Sequence, residues 1–206
     1  MKVLDQILES KIVAIIRGAG PADVLNIAEA LQRGGVKILE VTLNSPNALQ
    51  VIKELTTRMN NMIIGAGTIL RAADAEASIQ AGASFIISPI VDVDTIAATK
   101  RSGVVSIPGA YTATEVMHAW SSGGDIIKIF PAANAEYIKV LRGPLSNIPM
   151  MPTGGITPEN ISGFKQAGAV AFGIGTSLVD VKHKITKEYL EQITENARKF
   201  IRAIAD

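Results

Sequence analysis

Cysteine is absent from the chain and histidine is scarce, which removes several kinds of chemistry at once. With no cysteine among 206 residues, disulfides, thiolate metal sites and cysteine nucleophiles are excluded. The two histidines, His118 and His183, lie far apart in the sequence, and neither has a partner at ligand-like spacing. A histidine metal site or a serine triad therefore has little support, and we expect no bound metal.

The sequence also has no large excess of charge and no long apolar run. The net charge is +1 and charges of both signs are mixed along the chain, so nothing indicates a nucleic-acid or membrane partner. The first residues, Met1 to Gln6, are mixed in polarity, and nowhere do about 18 uncharged apolar residues follow one another. We therefore expect a cytoplasmic protein.

Short apolar runs rich in valine and isoleucine recur through the sequence and are typical of buried parallel strands. The predicted strands are Ile12 to Ile16, Val36 to Val41, Met62 to Ile64, Phe85 to Ile87, Val104 to Ile107, Ile126 to Phe130, Ile148 to Met151 and Val170 to Ile174. Helical periodicity fills the stretches between them. Several of these stretches end in a glycine typical of a helix C-cap, at Gly34-Gly35, Ala81-Gly82, Ser102-Gly103, Gly123-Gly124 and Ala167-Gly168.

This repetition of strand and helix decides the fold class. The chain is 48% hydrophobic and 19% charged and has no obvious linker, which is ordinary for one globular domain spanning residues 1–206. Eight similar units predict an α/β fold, a single-domain TIM (β/α)8 barrel, in which Met1 to Ser10 add an extra N-terminal helix. An open doubly wound parallel sheet is the alternative fold.

One lysine, Lys128, interrupts the apolar sixth strand, although a buried ammonium without a partner is costly. Strand side chains alternate between faces, so Lys128 points into the barrel if Ile127 packs on the helices. By the same alternation, Glu40 and Arg17 come to the same interior from the second and first strands. One interpretation is a buried ion-pair network that only closes the barrel.

The other interpretation uses the chemistry of a desolvated amine. Burial beside a second cation, Arg17, lowers the pKa of a lysine, and a neutral amine is a good nucleophile toward a ketone. Glu40 is then suited to transfer protons to and from the carbinolamine. Lys128 and Glu40 are therefore the candidate catalytic residues.

Glycine-rich segments mark the predicted ends of three strands. They are Gly65-Ala66-Gly67-Thr68 after the third, Pro152-Thr153-Gly154-Gly155-Ile156 after the seventh and Gly173-Ile174-Gly175-Thr176-Ser177 at the eighth. Tight βα turns need glycine in any case, but glycines also let backbone N–H groups approach an anion. Two adjacent segments, with hydroxyls at Thr176 and Ser177, predict a phosphate site after strands seven and eight. The substrate would carry a phosphate at one end and react with the lysine at the other.

Seven motifs together resemble one known family along nearly the whole chain. They are Glu40-Val41-Thr42-Leu43, Gly65-Ala66-Gly67-Thr68, Ser88-Pro89, Ile107-Pro108-Gly109, Lys128-Ile129-Phe130-Pro131, Pro152-Thr153-Gly154-Gly155 and Gly173-Ile174-Gly175-Thr176. In order and spacing they are similar to the 2-keto-3-deoxy-6-phosphogluconate (KDPG) aldolase family. The resemblance implies a class I aldolase on a TIM barrel, which forms a homotrimer and needs no metal or other cofactor.

The resemblance also implies roles for individual residues. Lys128 would form the Schiff base with the 2-keto carbon, and Glu40 would move protons through a water molecule. Thr68 and an arginine would hold the carboxylate of the pyruvate portion. The residues that would hold the phosphate are Gly154, Gly155, Gly175 and Thr176.

The arginine departs from one form of the family pattern. Some members carry it four residues after the glutamate, where this chain has Asn44, and others at the end of the first strand, where this chain has Arg17. We therefore predict that Arg17 binds the carboxylate. Pro89 and Phe130 either wall the pyruvate end or fill ordinary turn and core positions. The predicted substrate-binding set also includes Thr153 and Ser177.

The resemblance leaves the substrate open. It implies cleavage of KDPG to pyruvate and glyceraldehyde 3-phosphate, and Pro152-Thr153-Gly154-Gly155 resembles the gluconate branch. Leu43-Asn44-Ser45-Pro46 instead resembles the branch acting on 2-keto-3-deoxy-6-phosphogalactonate, the C4 epimer. Some relatives also cleave 4-hydroxy-2-oxoglutarate, whose aldehyde part bears a carboxylate. Two more remote alternatives, a phosphate-binding βα-barrel isomerase and a non-catalytic phospho-ligand binding protein, leave Lys128 unexplained.

Overall fold

The computed structural model describes residues 2–205, along which strands and helices alternate. The helices are α1 (Val3–Ser10), α2 (Pro21–Arg33), α3 (Ala48–Arg58), α4 (Ala72–Gln80), α5 (Val93–Arg101), α6 (Ala113–Ser121), α7 (Ala135–Arg142), α8 (Ile161–Gln166) and α9 (Lys187–Ala205). The strands are β1 (Ile12–Ile16), β2 (Ile38–Thr42), β3 (Ile63–Gly67), β4 (Phe85–Ile87), β5 (Val105–Ile107), β6 (Gly109–Ala110), β7 (Ile127–Ile129), β8 (Met150–Pro152) and β9 (Phe172–Ile174).

All strand pairs are parallel, and they close into a barrel. Six strands form one sheet in the order β5-β4-β3-β2-β1-β9, and β6-β7-β8 form a second sheet. β5 and β6 are two parts of one barrel strand, interrupted at Pro108 because proline has no N–H to donate to a ladder. A bridge between Thr153 and Gly173 joins the second sheet to β9. The predicted α/β barrel with an extra N-terminal helix is confirmed, and the open-sheet alternative is wrong.

The inside of the barrel is filled by apolar side chains. Val13, Ile38, Phe85 and Ile126 belong to this inner cluster, and Ile7 of α1 packs against them. Because these residues lie near the starts of their strands, α1 closes the amino-terminal end of the barrel. Fully burying each large side chain of this kind contributes about 1.5–3 kcal/mol.

A second apolar cluster lies between the strands and the surrounding helices. The last helix, α9, shows how it forms: Ile193, Ala197, Phe200 and Ile204 are buried and recur at helical spacing along one face. This face packs on α2, where the Thr194 hydroxyl donates a 2.9 Å hydrogen bond to the Ala30 carbonyl oxygen.

The outer cluster also fixes which way the sixth barrel strand faces. Ile127 and Ile129 belong to the outer cluster, whereas Ile126 belongs to the inner one. Since successive strand residues point to opposite faces, Lys128 points into the barrel. The orientation predicted for Lys128 is confirmed.

The third strand is longer than predicted. It runs to Gly67 instead of ending at Ile64, so the expectation that Gly65-Ala66-Gly67 follows the strand is wrong. The two glycines make room inside the barrel: a Cβ at Gly65 would overlap the ring of Phe85, and a Cβ at Gly67 would overlap Glu40. Among residues 2–205, no helix combines the length and apolarity needed to cross a bilayer.

Candidate active site

Lys128 lies deep in the mouth of the barrel, at the carboxyl ends of the strands. It is the middle residue of β7 and is only 3% exposed. Its backbone N–H donates to the Pro108 carbonyl oxygen at 2.9 Å, and the strand pairs with β8 through Met151. The backbone is therefore held on both sides, and the side chain projects from a fixed point.

Glu40, on β2, is fully buried in the same interior. Neither carboxyl oxygen has a hydrogen-bond partner among residues 2–205. A buried carboxyl group without partners is costly and calls for an explanation. A role in proton transfer supplies one, because carboxyl oxygens without protein partners are free to exchange protons with a substrate.

Arg17 is the first residue after β1 and its side chain is exposed at the mouth. Its charge acts on both buried groups. Burial lowers the pKa of the Lys128 ammonium, the Glu40 carboxylate opposes this, and Arg17 lowers it further. Burial likewise raises the pKa of Glu40, against the opposing effects of Lys128 and Arg17. Both groups are pushed toward their neutral forms.

An open cavity of about 470 Å³ lies at the barrel mouth. Arg17 lines one side, and Phe130 lines another with its ring centroid 5.1 Å from the Lys128 Nζ atom. The remaining lining residues are Ile15, Thr153, Gly154, Gly155, Ile156, Gly173, Gly175, Thr176, Ser177, Val179, Asp180, Val181 and Lys182. The buried amine is thus next to a cavity of a size that suits a small molecule.

The glycine segments after β8 and at β9 form part of this lining. Gly154 and Gly155 have φ values of 95° and 69°, a left-handed conformation that favours glycine. A Cβ at Gly155 or Gly175 would meet no atom within 4 Å among the described residues, so the backbone here is open to a ligand. The hydroxyl of Ser177, predicted as a donor to an anion, instead donates to the Ile156 carbonyl oxygen at 2.6 Å.

Comparison with known proteins identifies the family to which the chain belongs. The family model for KDPG and KHG aldolases matches residues 3–196. The chain belongs to this family. It is an aldolase, a carbon–carbon lyase, and the resemblance found in the sequence is confirmed.

Several family members match the aldolase over most of its length. The 2-dehydro-3-deoxy-6-phosphogalactonate aldolase of Escherichia coli K12 is 31% identical over 196 residues, 93% of each chain. The 2-dehydro-3-deoxy-phosphogluconate aldolase of Pseudomonas aeruginosa is 31% identical over 203 residues, 92% of each chain. A crystal structure of KDPG aldolase from Legionella pneumophila, with pyruvate captured as a covalent carbinolamine intermediate, matches with a TM-score of 0.85 at 28% identity, covering 95% of this chain and 96% of the other.

Four predicted site residues of the aldolase are not among the residues that line the cavity: the buried Lys128 and Glu40, and also Thr68 and Pro89. Thr68 follows β3 with a left-handed φ of 59° and is half-buried. Pro89 follows β4, and its backbone lies against Gly109, where a Cβ would overlap it. Both stand at the carboxyl ends of strands, and their proposed contacts with a substrate stay predictions.

The loop after β9 adds cavity residues that sequence reasoning missed. Asp180, Val181 and Lys182 line the cavity, and the Lys182 backbone N–H donates to Asp180 Oδ1 at 3.0 Å. No motif or periodicity marks these positions. The only available signal is their place directly after the glycine segment of the last strand.

Proposed function

We propose that the aldolase cleaves 2-keto-3-deoxy-6-phosphogluconate to pyruvate and glyceraldehyde 3-phosphate through a Schiff base on Lys128. The observation that carries the proposal is the buried lysine of β7, which feels the charge of the buried, unpartnered Glu40 and lies 5.1 Å from the ring of Phe130, a residue that lines a cavity with open glycine backbone. An ion pair that only closed the barrel would gain from hydrogen bonds to Glu40, and its oxygens have none among residues 2–205.

The first half of the reaction forms the imine. The neutral amine of Lys128 attacks C2 of the keto acid, and the carbonyl oxygen takes a proton to give a carbinolamine. Glu40 donates the proton with which the C2 hydroxyl leaves as water, and the protonated imine remains. The lowered pKa of Lys128 and the raised pKa of Glu40 suit these two roles, because the amine must be unprotonated and the acid protonated.

The second half breaks the carbon–carbon bond. Glu40, now a carboxylate, removes the proton from the C4 hydroxyl, directly or through a water molecule. The C3–C4 bond breaks, its electron pair moves to the iminium nitrogen, and glyceraldehyde 3-phosphate leaves an enamine of pyruvate. Protonation of C3 and hydrolysis of the imine release pyruvate and restore the free lysine.

The two ends of the substrate are held by different parts of the site. Arg17 and Thr68 bind the carboxylate, so that C2 meets the amine of Lys128. Such positioning can lower the activation barrier by several kcal/mol, and a displacement of about 1 Å can lower the rate about 10²-fold. Phe130 and Pro89 wall this end. The backbone at Gly154, Gly155, Gly175 and Thr176 binds the phosphate at the other end, with Ser177 shaping the loop.

A second candidate substrate, 2-keto-3-deoxy-6-phosphogalactonate, has support of its own. The matching E. coli enzyme that bears this name is 31% identical over 93% of the chain, and Asn44 stands where other members carry an arginine. 4-Hydroxy-2-oxoglutarate is a third candidate substrate.

The Schiff base is tested by reduction with borohydride in the presence of pyruvate. Wild-type enzyme is expected to gain the mass of one reduced pyruvate adduct, which peptide mapping places on Lys128. Lys128→Ala should gain nothing, while Lys139→Met, which removes an exposed lysine from α7, should react like wild type. Wild-type enzyme that traps no pyruvate would refute the aldolase mechanism.

The substrate is tested by comparing kcat/KM for the gluconate and galactonate epimers and for 4-hydroxy-2-oxoglutarate. The proposal expects the gluconate to be cleaved fastest, and faster cleavage of the galactonate would overturn that choice while leaving the Schiff base intact. The homotrimer expected from the family is a separate proposal, and light scattering on the purified enzyme tests it.

A further inference from the structure

The turn after β2 reaches across to the loop that carries Arg17. The hydroxyl oxygen of Ser45 accepts a 2.8 Å hydrogen bond from the backbone N–H of Gly18, the residue after Arg17. Ser45 is 8% exposed. This side chain therefore joins the first two barrel strands beyond the last pair of their ladder, Ile16 with Val41.

Ser45 is itself held firmly to the end of β2. Its backbone N–H donates to the Thr42 carbonyl oxygen at 3.0 Å, and its hydroxyl lies 2.9 Å from the hydroxyl of the fully buried Thr42. Since the Ser45 oxygen accepts from Gly18 while its own proton is free to bridge to Thr42, the three groups form a continuous chain. Thr42 lies two residues beyond Glu40 on the same face of β2.

The Gly18 N–H belongs to the peptide group that links Arg17 to Gly18. Fixing this N–H fixes the plane of that peptide, and with it the direction in which the backbone leaves Arg17. Gly18 has a left-handed φ of 79°, a conformation that glycine adopts easily, and the hydrogen bond from its N–H to Ser45 restricts this freedom. A long, flexible arginine side chain binds a carboxylate well only when its backbone is fixed.

This contact gives a physical account of the turn Leu43-Asn44-Ser45-Pro46. Asn44 is exposed, while the next residue, Ser45, points inward to the Arg17 loop. The turn after β2 therefore has no arginine at position 44, but its Ser45 holds the loop that carries Arg17 at the end of β1.

We propose that Ser45 is a positioning residue that holds Arg17 in place to bind the substrate carboxylate, an inference that rests on the proposed function of Arg17. Ser45 touches no reacting atom and acts through the backbone of the β1 loop. Removing its hydroxyl should weaken carboxylate binding without changing the reactivity of the Lys128 amine.

The experiment measures the pyruvate concentration that gives half-maximal borohydride trapping in Ser45→Ala, Arg17→Met and the double variant. Ser45→Ala is expected to raise this concentration about tenfold, the factor that corresponds to one ordinary hydrogen bond. In the Arg17→Met background the same change should add less than about twofold, because the group that Ser45 positions is gone. Ser102→Ala, which removes an exposed hydroxyl from the end of α5, should match wild type.

A second readout separates positioning from a general structural effect. Pentane-2,4-dione condenses with a neutral amine but carries no carboxylate, so its reaction with Lys128 should proceed in Ser45→Ala within about twofold of the wild-type rate. Three results would overturn the role of Ser45. Ser45→Ala could raise the half-maximal pyruvate concentration about tenfold in both wild-type and Arg17→Met enzyme, it could leave this concentration unchanged in wild type, or it could slow dione labelling of Lys128 to the same extent. Wild-type enzyme that traps no pyruvate would overturn the proposed function as well, whereas trapping by wild type with an unchanged Ser45→Ala variant would overturn only the positioning role.

Discussion

The carboxyl group of Glu40 lies in the space that a side chain at Gly67 would occupy. The two residues are on adjacent strands, β2 and β3, and a Cβ at position 67 would overlap the Cγ, Cδ and Oε1 atoms of Glu40. Gly67 pairs with Thr42, two residues beyond Glu40 in the ladder. The absence of a side chain on β3 therefore decides where the carboxyl group of β2 can lie.

Gly67→Ala is expected to displace the Glu40 carboxyl group and lower kcat about hundredfold, the effect of a displacement near 1 Å in a catalytic group. Steady-state cleavage of the phosphorylated keto acid measures this loss. Gly163→Ala is the matched control, because a Cβ there would lie 3.7 Å from the Ala135 Cβ, an ordinary contact, and its activity should be that of wild type. A Gly67→Ala enzyme with normal kcat would show that the position of Glu40 does not limit the reaction.

The inward direction of Lys128 and Glu40 could be predicted from the sequence because strand side chains alternate strictly between two faces. Ile127 and Ile129 mark the outer face of β7, so the orientation of Lys128 follows as soon as the strand is recognised. The extent of β3 could not be predicted in the same way. The sequence does not distinguish a glycine that makes a turn from one that leaves room for a side chain of another strand. The side chains that need this room, Phe85 beside Gly65 and Glu40 beside Gly67, are distant along the chain.

The loop after β9 was also beyond sequence reasoning. Lys182 lines the cavity because of the path that the backbone takes after Ile174, and that path depends on packing against other elements instead of on a local pattern. Conversely, Thr68 and Pro89 lie at the strand ends, as expected, but they are not among the residues that line the cavity. Strand ends are predictable from apolar runs, whereas the shape of the space above them is not.

The rate at which Lys128 reacts with pentane-2,4-dione is expected to rise with pH. This rise should occur at lower pH than for an ordinary lysine. Burial and Arg17 lower the Lys128 pKa from its ordinary 10.5, so the neutral, reactive amine is present at lower pH. Labelling rates measured across a pH series, against the same lysine peptide after denaturation, check this. A labelling curve that coincides with the denatured peptide would contradict the lowered pKa.

Replacing the two neighbouring charges should shift this labelling curve in opposite directions. Arg17→Met removes a group that lowers the Lys128 pKa, so the curve should move to higher pH. Glu40→Gln removes a carboxylate that raises the pKa, so the curve should move to lower pH. The pH at half-maximal labelling measures both shifts, and a common direction for the two variants would show that these charges do not act on Lys128.

The buried pair is expected to cost stability. Replacing both groups with apolar side chains of similar size, as Lys128→Met with Glu40→Leu, should raise the free energy of unfolding by about 1–3 kcal/mol, because well-packed apolar side chains often replace buried charged groups at a gain. The unfolded chain binds the Lys128 proton more tightly than the folded chain does, so wild-type stability should rise with pH between the lowered pKa and 10.5. Urea unfolding at several pH values checks both points; a double variant less stable than wild type at every pH would show that the pair supports the fold.

Lys182 is expected to bind the phosphate end of the substrate. It lines the cavity beside the glycine segments, and a cation there would favour a dianion. Lys182→Met should raise KM for the phosphorylated keto acid about tenfold, a charge-assisted hydrogen bond being worth about 1.5–3 kcal/mol, and leave pyruvate trapping unchanged. Lys184→Met is the matched control: both lysines line a neighbouring surface pocket, but Lys184 is not among the residues that line the cavity. Equal KM values for the two variants would exclude the role of Lys182.

Thr153 is expected to discriminate between substrates that differ at C4. Thr153 lines the cavity, and its buried hydroxyl has no hydrogen-bond partner among residues 2–205. A site built to bond a substrate hydroxyl discriminates strongly against an analogue that places this hydroxyl elsewhere. Thr153→Val keeps the shape and removes the hydroxyl, so kcat/KM for the preferred C4 epimer should fall at least about tenfold while that for the other epimer changes little. The fold should tolerate the change, because no internal hydrogen bond is lost; an equal fall for both epimers, with normal unfolding, would place the hydroxyl outside the recognition of C4.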